Sequence, residues 1–586
     1  MSERQTAPLD AGEVARLLAD IGTLSELNGA NPFRARAFAS AARALEGTSA
    51  DLSQLAAEGK LTSLAGVGPA IAEVIDEIVR TGRSTIHEEL TATTPIGLYD
   101  LMRIPGLGNK RIHTLHTELG VDSLESLATA AEAGRVAALP GFGKKTEQKI
   151  LKGIGFARAA LGRRRYPDAR EVAERLLEWL GERSDVVSAD IVGQVRRRLE
   201  VVDRVDLLAA TDDVGSVLEA LGTLHGVAEL TREDERRVVA RLNDGLTARL
   251  RCVAPDLYAA ALAWETGSEE HVAGLQKAAS AQGFELTEAG LLRGGEAVRI
   301  SDEERLYEEL GLQYVPPELR EGLGEVEMAA EGTLPNLVVL EDLRGTFHCH
   351  TTYSDGKATI AEMGEAARAH GWSYLGLADH SRAAAYAGGL SVERVHEQQD
   401  EIDGWNSQIA RSGEKFRIFK GIESDILADG SLDYDEEVLA SFDYIVGSVH
   451  SGFGMSEAAM TERVVRAIRN PYLTILGHPT GRLLLRRSGY PIDVRAVIEA
   501  AASAGVVIEI NSNPHRLDLD WRDVREAAER GILIAINPDA HSVAALDNVA
   551  YGINMARKAG LEARQILNTW TLAEVESYLA ERNQKS

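Results

Sequence analysis

His348 and His350 stand two residues apart in the stretch HCHTTYSDG, and Asp355 follows five residues later. Side chains two apart on an extended segment share a face, so both imidazoles can address one cation. The chain then offers His380 in LADHS, Glu423 in GIESD, His450 in GSVHSG, His478 in LGHPTGR, and Asp539 and His541 in NPDAHS. One histidine at a strand end is ordinarily a packed structural residue. Nine imidazole and carboxylate groups in that setting, opening with a His-x-His pair, point to a shared metal centre. Imidazole with carboxylate and no thiolate suits manganese, zinc or iron, without choosing between them. Such a centre can activate water for attack on phosphorus, so no side-chain nucleophile is required. Arg482, in GHPTGR, is placed to hold a substrate phosphate, although a solvated loop arginine reads equally well. Cys349 faces away from its neighbours and is expected to be packed.

The elements that must carry these groups are legible as a rhythm. From Gly345 onward, short apolar runs (YLGLAD, FRIFKGIE, YIVGSVH, LTILGHP, VVIEINSN, ILIAINPDA) alternate with amphipathic helices, and most end in a polar residue. This predicts an α/β barrel with its chemistry at the carboxyl ends of the strands. EMAAEGTLPNLVVLEDLRG, acidic and then containing proline, reads as the linker before it. Residues before about 325 read as mostly helical, with strand-like runs at DVVSADIVG and RRVVARLNDGLTARLRCVA.

In that first half a local pattern occurs three times: LAGVGPAIAEVI (Gly66, Gly68), IPGLGNKRIHTL (Gly106, Gly108) and LPGFGKKTEQKI (Gly141, Gly143, then Lys144). The glycines allow a tight turn, and the helix that follows presents free N–H groups at its positive end, a clamp for phosphate. Three copies predict binding to the DNA backbone without regard to sequence.

With 586 residues the chain is long enough for at least three packed units. A net charge of −27 argues against coating nucleic acid by bulk electrostatics, but leaves room for local contacts such as Arg163-Arg164-Arg165. Two distant cysteines, with no leader-like or long apolar stretch, predict a reduced, cytoplasmic protein without a membrane partner, expected as a monomer.

The three hairpins, ELNGANPFRARAFASAARALEG, GQVRRRLEVVDRVDLLAATD, the TGS of Thr266 to Ser268, and YEELGLQYVPPELREG together resemble family X DNA polymerases. Bacterial members carry a carboxyl-terminal polymerase-and-histidinol-phosphatase (PHP) domain, so the resemblance covers essentially the whole chain. It implies a multidomain α+β and α/β protein: a lyase-type helix-hairpin-helix domain (1–88), fingers with two further hairpins (89–160), palm (161–258), thumb (259–325), linker (326–342) and a distorted (β/α)7 PHP barrel (343–586). All nine PHP ligand positions are filled here. The family implies up to three divalent metals with the glutamate, here Glu423, bridging.

The polymerase half departs from the same family. Two-metal nucleotidyl transfer needs clustered carboxylates. The family positions fall on Arg204 and Asp206, and the third on Arg249, so two of three carboxylates are replaced by permanent cations that repel divalent metal. Asp203 is out of step with Asp206 in a regular strand and should face the other way. The family's Gly-Ser reads Gly193-Gln194, a nucleotide-contacting asparagine is Val272, a template-side arginine is Gln276, and the lyase lysine is Val74. The expectation is a DNA-repair hydrolase acting on gapped, nicked or 3′-ended DNA, as a 3′-to-5′ exonuclease or at abasic sites, whose polymerase core only binds DNA. The rival readings are an active gap-filling polymerase with an accessory nuclease, a non-enzymatic repair scaffold, and a phosphatase for small phosphoesters.

Overall fold

A computed structural model describes residues 11–46 and 52–584, apart from Ala65, Ile96, Pro105, His225 and Asp244. Ala65 and Pro105 belong to two of the hairpin motifs and Gly47 ends one quoted stretch; these lie outside the described residues. The chain divides into two compact units at Leu161/Gly162.

The described part of the first unit is helical. Its hairpin glycines fall where the turn demands them: Gly106 has φ 81°, and Gly66 and Gly141 adopt the same left-handed conformation. Helices Pro69–Thr81 and Asn109–Leu119 start from Gly68 and Gly108, whereas the third, Gly143–Ala159, includes its glycine and is capped by buried Phe142. Ile71, Val74, Ile75 and Ile78, at helical spacing, turn one face into the core. Val74 is therefore a packing residue at the position where the resemblance would put a lyase amine.

The second unit opens with a five-stranded mixed sheet, in the order Ser188–Val192, Val205–Ala210, Thr247–Val253, Arg237–Leu242, Val227–Arg232. Helix Tyr166–Gly181 packs on it through Ala169, Ala173, Leu176 and Leu180. The stretch around Asp203, expected to run as a regular strand, is broken instead. Val201–Val202 pairs with Arg164–Arg165, and the sheet strand restarts at Val205. The break has a local cause: the Asp203 N–H and carboxylate are both engaged by the Gln194 side chain, at 2.7 and 3.0 Å, and Arg163 lies 2.6 Å from its other oxygen.

Helices Tyr258–Thr266, Glu269–Ala281 and Glu303–Glu309 build the next core around Leu275, Phe284, Leu306 and Tyr307. The expected linker is not a spacer. It contains the helix Glu325–Glu331, whose Val326 and Ala329 join that core, and Val338 is already part of the following one. Charge and proline suggested a tether, but apolar residues three apart on one helical face decide the outcome.

The remainder is a barrel of seven parallel strands, each beside the next in chain order: Gly345–Thr346, Tyr374–Leu377, Arg417–Asp425, Tyr444–Ser448, Ile475–Leu476, Val507–Asn511 and Ile534–Asn537. First and last meet irregularly. Thr346 Oγ1 donates to the Ile536 carbonyl at 3.2 Å, and beyond the strands the His350 N–H donates to the Ala540 carbonyl at 2.8 Å. This seam is the distortion. One end of the interior is an apolar plug of Phe347, Tyr374, Phe419, Tyr444, Ile475 and Val507, covered by helix Leu572–Asn583 through Val575 and Leu579. Gly421 is required there, because a Cβ would lie 2.3 Å from the Tyr444 ring.

Candidate metal centre

Alternate residues, read up the strands, pass from plug to polar groups. The inward series are Phe419, Gly421, Glu423, Asp425; Tyr444, Val446, Ser448, His450; Val507, Glu509, Asn511; and Ala535, Asn537, Asp539, while Ile422, Ile445, Ile508 and Ile536 face the outer core. The two-residue period of a strand thus delivers the ligand-type groups to the carboxyl ends without further devices. Two strands need a correction to that period. A bend at Phe347 leaves Phe347 in the plug and still directs His348 and His350 inward, with Cys349 in the outer apolar core. His478 and Asp539 have φ values of 23° and 52°, uncommon for residues with a Cβ. Strain of this kind persists where a site over-determines it.

Eight of the nine residues singled out in the sequence fall in three overlapping groups of one cradle: His350, Asp355, His380 and His541; His348, His350 and Asp539; His380, Glu423 and His450. Within each group the candidate ligand atoms lie within 4.8 Å of one another. His478 joins through Glu423, its Nε2 3.0 Å from Oε1. Glu423 is the hub. Its Oε1 lies 3.4 Å from His348 Nε2 and 3.2 Å from His450 Nε2, while Oε2 lies 2.9 Å from His380 Nδ1 and 3.8 Å from His350 Nε2. Each oxygen therefore faces a different set of imidazoles, the arrangement a bridging carboxylate requires.

The electrostatics match a cation site. Burial opposes charge on Glu423, but His450, His348 and His380 hold its carboxyl well below the usual range. Burial pulls His450 down, yet Glu423 and Asp425 push it up to about 10; burial alone leads at His350, lowering it to about 3 and keeping it neutral. Six buried atoms make no well-aligned hydrogen bond, although His380 Nδ1 lies 2.9 Å from Glu423 Oε2 and His350 Nε2 3.1 Å from Asp539: His348 Nε2, both ring nitrogens of His350, His380 Nδ1, Glu423 Oε2 and His478 Nδ1. Buried polar atoms without partners are costly, and coordination would satisfy them. The donor set therefore fits divalent metal.

A second layer, not foreseen from sequence, fixes the rings. His348 Nδ1 lies 2.8 Å from fully buried Glu509, which also accepts from Asn537, Asn511 and the His478 N–H at 2.9, 3.0 and 3.1 Å. Asp425 holds His450 through Nδ1. Buried Asp379 accepts from Thr351, Ser354 and Gln398, and so braces the loop that carries Asp355. An outer carboxylate sets ring orientation and ligand basicity. Glu509→Gln is expected to weaken metal binding about ten- to hundredfold, while the folded state survives; titration of the metal-stripped protein with Mn²⁺, beside its circular dichroism, checks this.

Arg482 does not face the cradle. Its Nη1 donates to Asp520 at 2.8 Å, Nε to the Arg516 carbonyl at 3.1 Å, and Nη2 to the Leu517 carbonyl, so all three nitrogens brace a loop. The guanidinium beside the ligands belongs to Arg516, its Nε 3.7 Å from Asp539. Nothing local in sequence separates these two arginines; only the return of the chain does.

The palm presents the opposite picture. Asp206, opposite Arg249 in the parallel strand, is buried; Arg204 Nε donates to it at 2.7 Å and Arg249 Nε lies 2.9 Å from the same oxygen. Arg249 also donates to Glu265 at 2.8 Å, which takes Arg237 at 3.2 Å and Arg251 besides. Guanidiniums stand where cations would be clamped. Gln194 is spent on Asp203, Gln276 donates to the Leu286 carbonyl, and Val272 is buried.

Comparisons with known proteins match four parts of the chain. Residues 11–84 match the helix-hairpin-helix domain, 98–155 the SAM-like helix-hairpin-helix tandem, 261–321 the DNA polymerase beta thumb and 346–513 the PHP domain. The DNA polymerase/3′-5′ exonuclease PolX of Bacillus subtilis (strain 168) is 37% identical over 571 residues, 97% of this chain and 99% of that protein. A probable phosphatase of Thermoanaerobacter sp. (strain X514) is 29% identical over 256 residues, 41% of this chain and 95% of that protein. The PHP match ends at residue 513, whereas the cradle draws Asp539 and His541 from beyond it.

Proposed function

This chain belongs to the PolX family of DNA polymerases with a carboxyl-terminal PHP domain, and from that we propose that its working activity is metal-dependent hydrolysis of DNA phosphodiesters from a 3′ end. The polymerase half then serves to hold the DNA. The observation that carries this reading is the contrast between two acidic sites in one unit: a cradle of nine ligand-type groups with unpartnered donor atoms, and a palm whose Asp206 is occupied by two arginines.

In this reading His348, His350, Asp355, His380, Glu423, His450, His478, Asp539 and His541 hold up to three divalent cations, manganese first, with zinc and iron as the alternatives. Divalent metal, when bound, supplies an acidified water and neutralises charge on the phosphate and leaving oxygen. The protein's share is placement. Glu423 offers one oxygen to each set of imidazoles, Glu509 and Asp425 fix two ring orientations, and Arg516 replaces Arg482 as the phosphate contact. The turns at Gly66–Gly68, Gly106–Gly108 and Gly141–Gly143, with exposed Lys144, hold gapped or nicked DNA by its backbone. With Val74 in an apolar core, Schiff-base lyase chemistry has no amine at that position. Among the described residues no helix is long and apolar enough to cross a membrane.

Metal dependence tests the reading. Protein stripped with a chelator should lose shortening of a 5′-labelled primer, and Mn²⁺ should restore it; shortening that persists without metal contradicts the proposal.

A further inference from the structure

Tyr386 is one of two large aromatic side chains left open to solvent among the described residues, 73% exposed; the other, Phe33, lies in the first unit beneath Arg36. Its place in the fold is specific. It sits on a single 3₁₀ turn, Ala385–Ala387, in the loop that begins immediately after His380. Its ring centroid is 6.3 Å from that of His380, at an interplanar angle of 54°.

The loop is not a loose one. Ser381 donates its N–H to the Glu423 carbonyl at 3.0 Å and Leu390 donates to the His380 carbonyl at 2.9 Å, closing the loop at its base. Ala384 and Gly389 are tied across the turn at 3.1 Å, and the Ala383 N–H donates to Asp433 at 2.5 Å. Ala384, Ala387 and Leu390 are buried, with the Leu390 carbonyl accepting from the Tyr434 hydroxyl at 2.6 Å. A backbone held at this many points, with its small side chains turned inward, presents one large ring outward next to a metal ligand.

An exposed aromatic is unfavourable in water unless something covers it. The group adjacent to a DNA phosphodiester entering the cradle is a nucleoside, and every base has a face that stacks on an aromatic ring whatever its identity. We propose that Tyr386 is the stacking platform for the terminal nucleobase of the DNA end held at the cradle, and that it sets the preference for nucleic-acid ends over small phosphoesters. This rests on the hydrolytic reading of the cradle. The ring supplies position and selectivity and takes no part in bond cleavage, so no covalent step involves it.

The test uses the full-length protein with an oligonucleotide carrying 2-aminopurine at its 3′ end, and bis(p-nitrophenyl) phosphate as a small diester. In chelator, where no hydrolysis occurs, wild-type protein should quench the 2-aminopurine, Tyr386→Phe should quench it equally, and Tyr386→Ala should not. With Mn²⁺, Tyr386→Ala should lower kcat/KM for the oligonucleotide about ten- to hundredfold more than for the small diester, mainly through KM, with Tyr386→Phe restoring the ratio. Quenching that survives Tyr386→Ala, or an equal fall on both substrates, overturns the proposal. Failure of the parent reading shows separately: oligonucleotide hydrolysis would then persist in His350→Ala, whatever the quenching arm gives.

Discussion

Replacing His350 by alanine is expected to lower DNA hydrolysis by about a thousandfold or more, since it removes several kcal/mol of charge stabilisation at once. His350 belongs to two of the three ligand groups, shared with Asp355, His380 and His541 on one side and with His348 and Asp539 on the other. It is fully buried, and neither ring nitrogen makes a well-aligned hydrogen bond, Nε2 lying 3.1 Å from Asp539. Trimming a fully buried ring leaves a cavity and lowers the stability of the metal-free protein whether or not the ring holds metal. The difference should instead appear with metal present, where wild type gains stability in proportion to binding and His350→Ala gains less. Thermal unfolding with and without Mn²⁺, run beside the hydrolysis assay, separates the two effects. Equal stabilisation of wild type and His350→Ala by Mn²⁺, or hydrolysis near wild-type level, would remove His350 from the centre.

Glu265→Gln should do the reverse, costing about 3–5 kcal/mol of stability with hydrolysis retained at 25 °C. Glu265 is buried and takes Arg249, Arg251 and Arg237. A neutral amide leaves those guanidiniums facing one another across a desolvated space. Burial works against the Glu265 carboxylate, yet Arg249 and Arg251 hold it below its ordinary 4.5. A lowered folded-state value contributes stability that is present above pH 4.5 and is lost as pH falls through the folded value. The deficit of Glu265→Gln should therefore be full at pH 7 and shrink in acid. Urea unfolding at pH 7 and below pH 4 reads it directly. In a palm built for metals, the acidic cluster would be kept for activity; here its loss should register as loss of fold.

The residues of the cradle were legible in the sequence because the strand period is local. His348 and His350 needed only their spacing, and His380, His450 and His478 needed only the apolar runs before them. Their supports were not legible. Glu509 reaches His348 across 161 residues, and Asp379 reaches Thr351 across 28, so neither shows a local pattern. The same limit produced the error at Arg482, since loop closure through Asp520 and Leu517 decides which arginine faces inward. The linker failed differently: acidic residues followed by a proline suggested a tether, but Val326 and Ala329 had the spacing of a buried face, which three-residue periodicity could have caught. In the palm, Arg204 and Arg249 marked the loss of the carboxylate cluster, and their pairing with Asp206 follows from charge alone. The break at Asp203 depends on Gln194, a partner nine residues away that no strand pattern announces.

The central claim is that one chain keeps a phosphodiester-cleaving centre and has given up nucleotide transfer. A 5′-labelled primer on a gapped template, incubated with the wild-type protein, Mn²⁺ and all four nucleotides, tests both halves in one lane. The account predicts a ladder of shortened primers and no longer product, with the same ladder when nucleotides are omitted. Primer extension would contradict it, because Arg204 and Arg249 would then have failed to close the palm to metal.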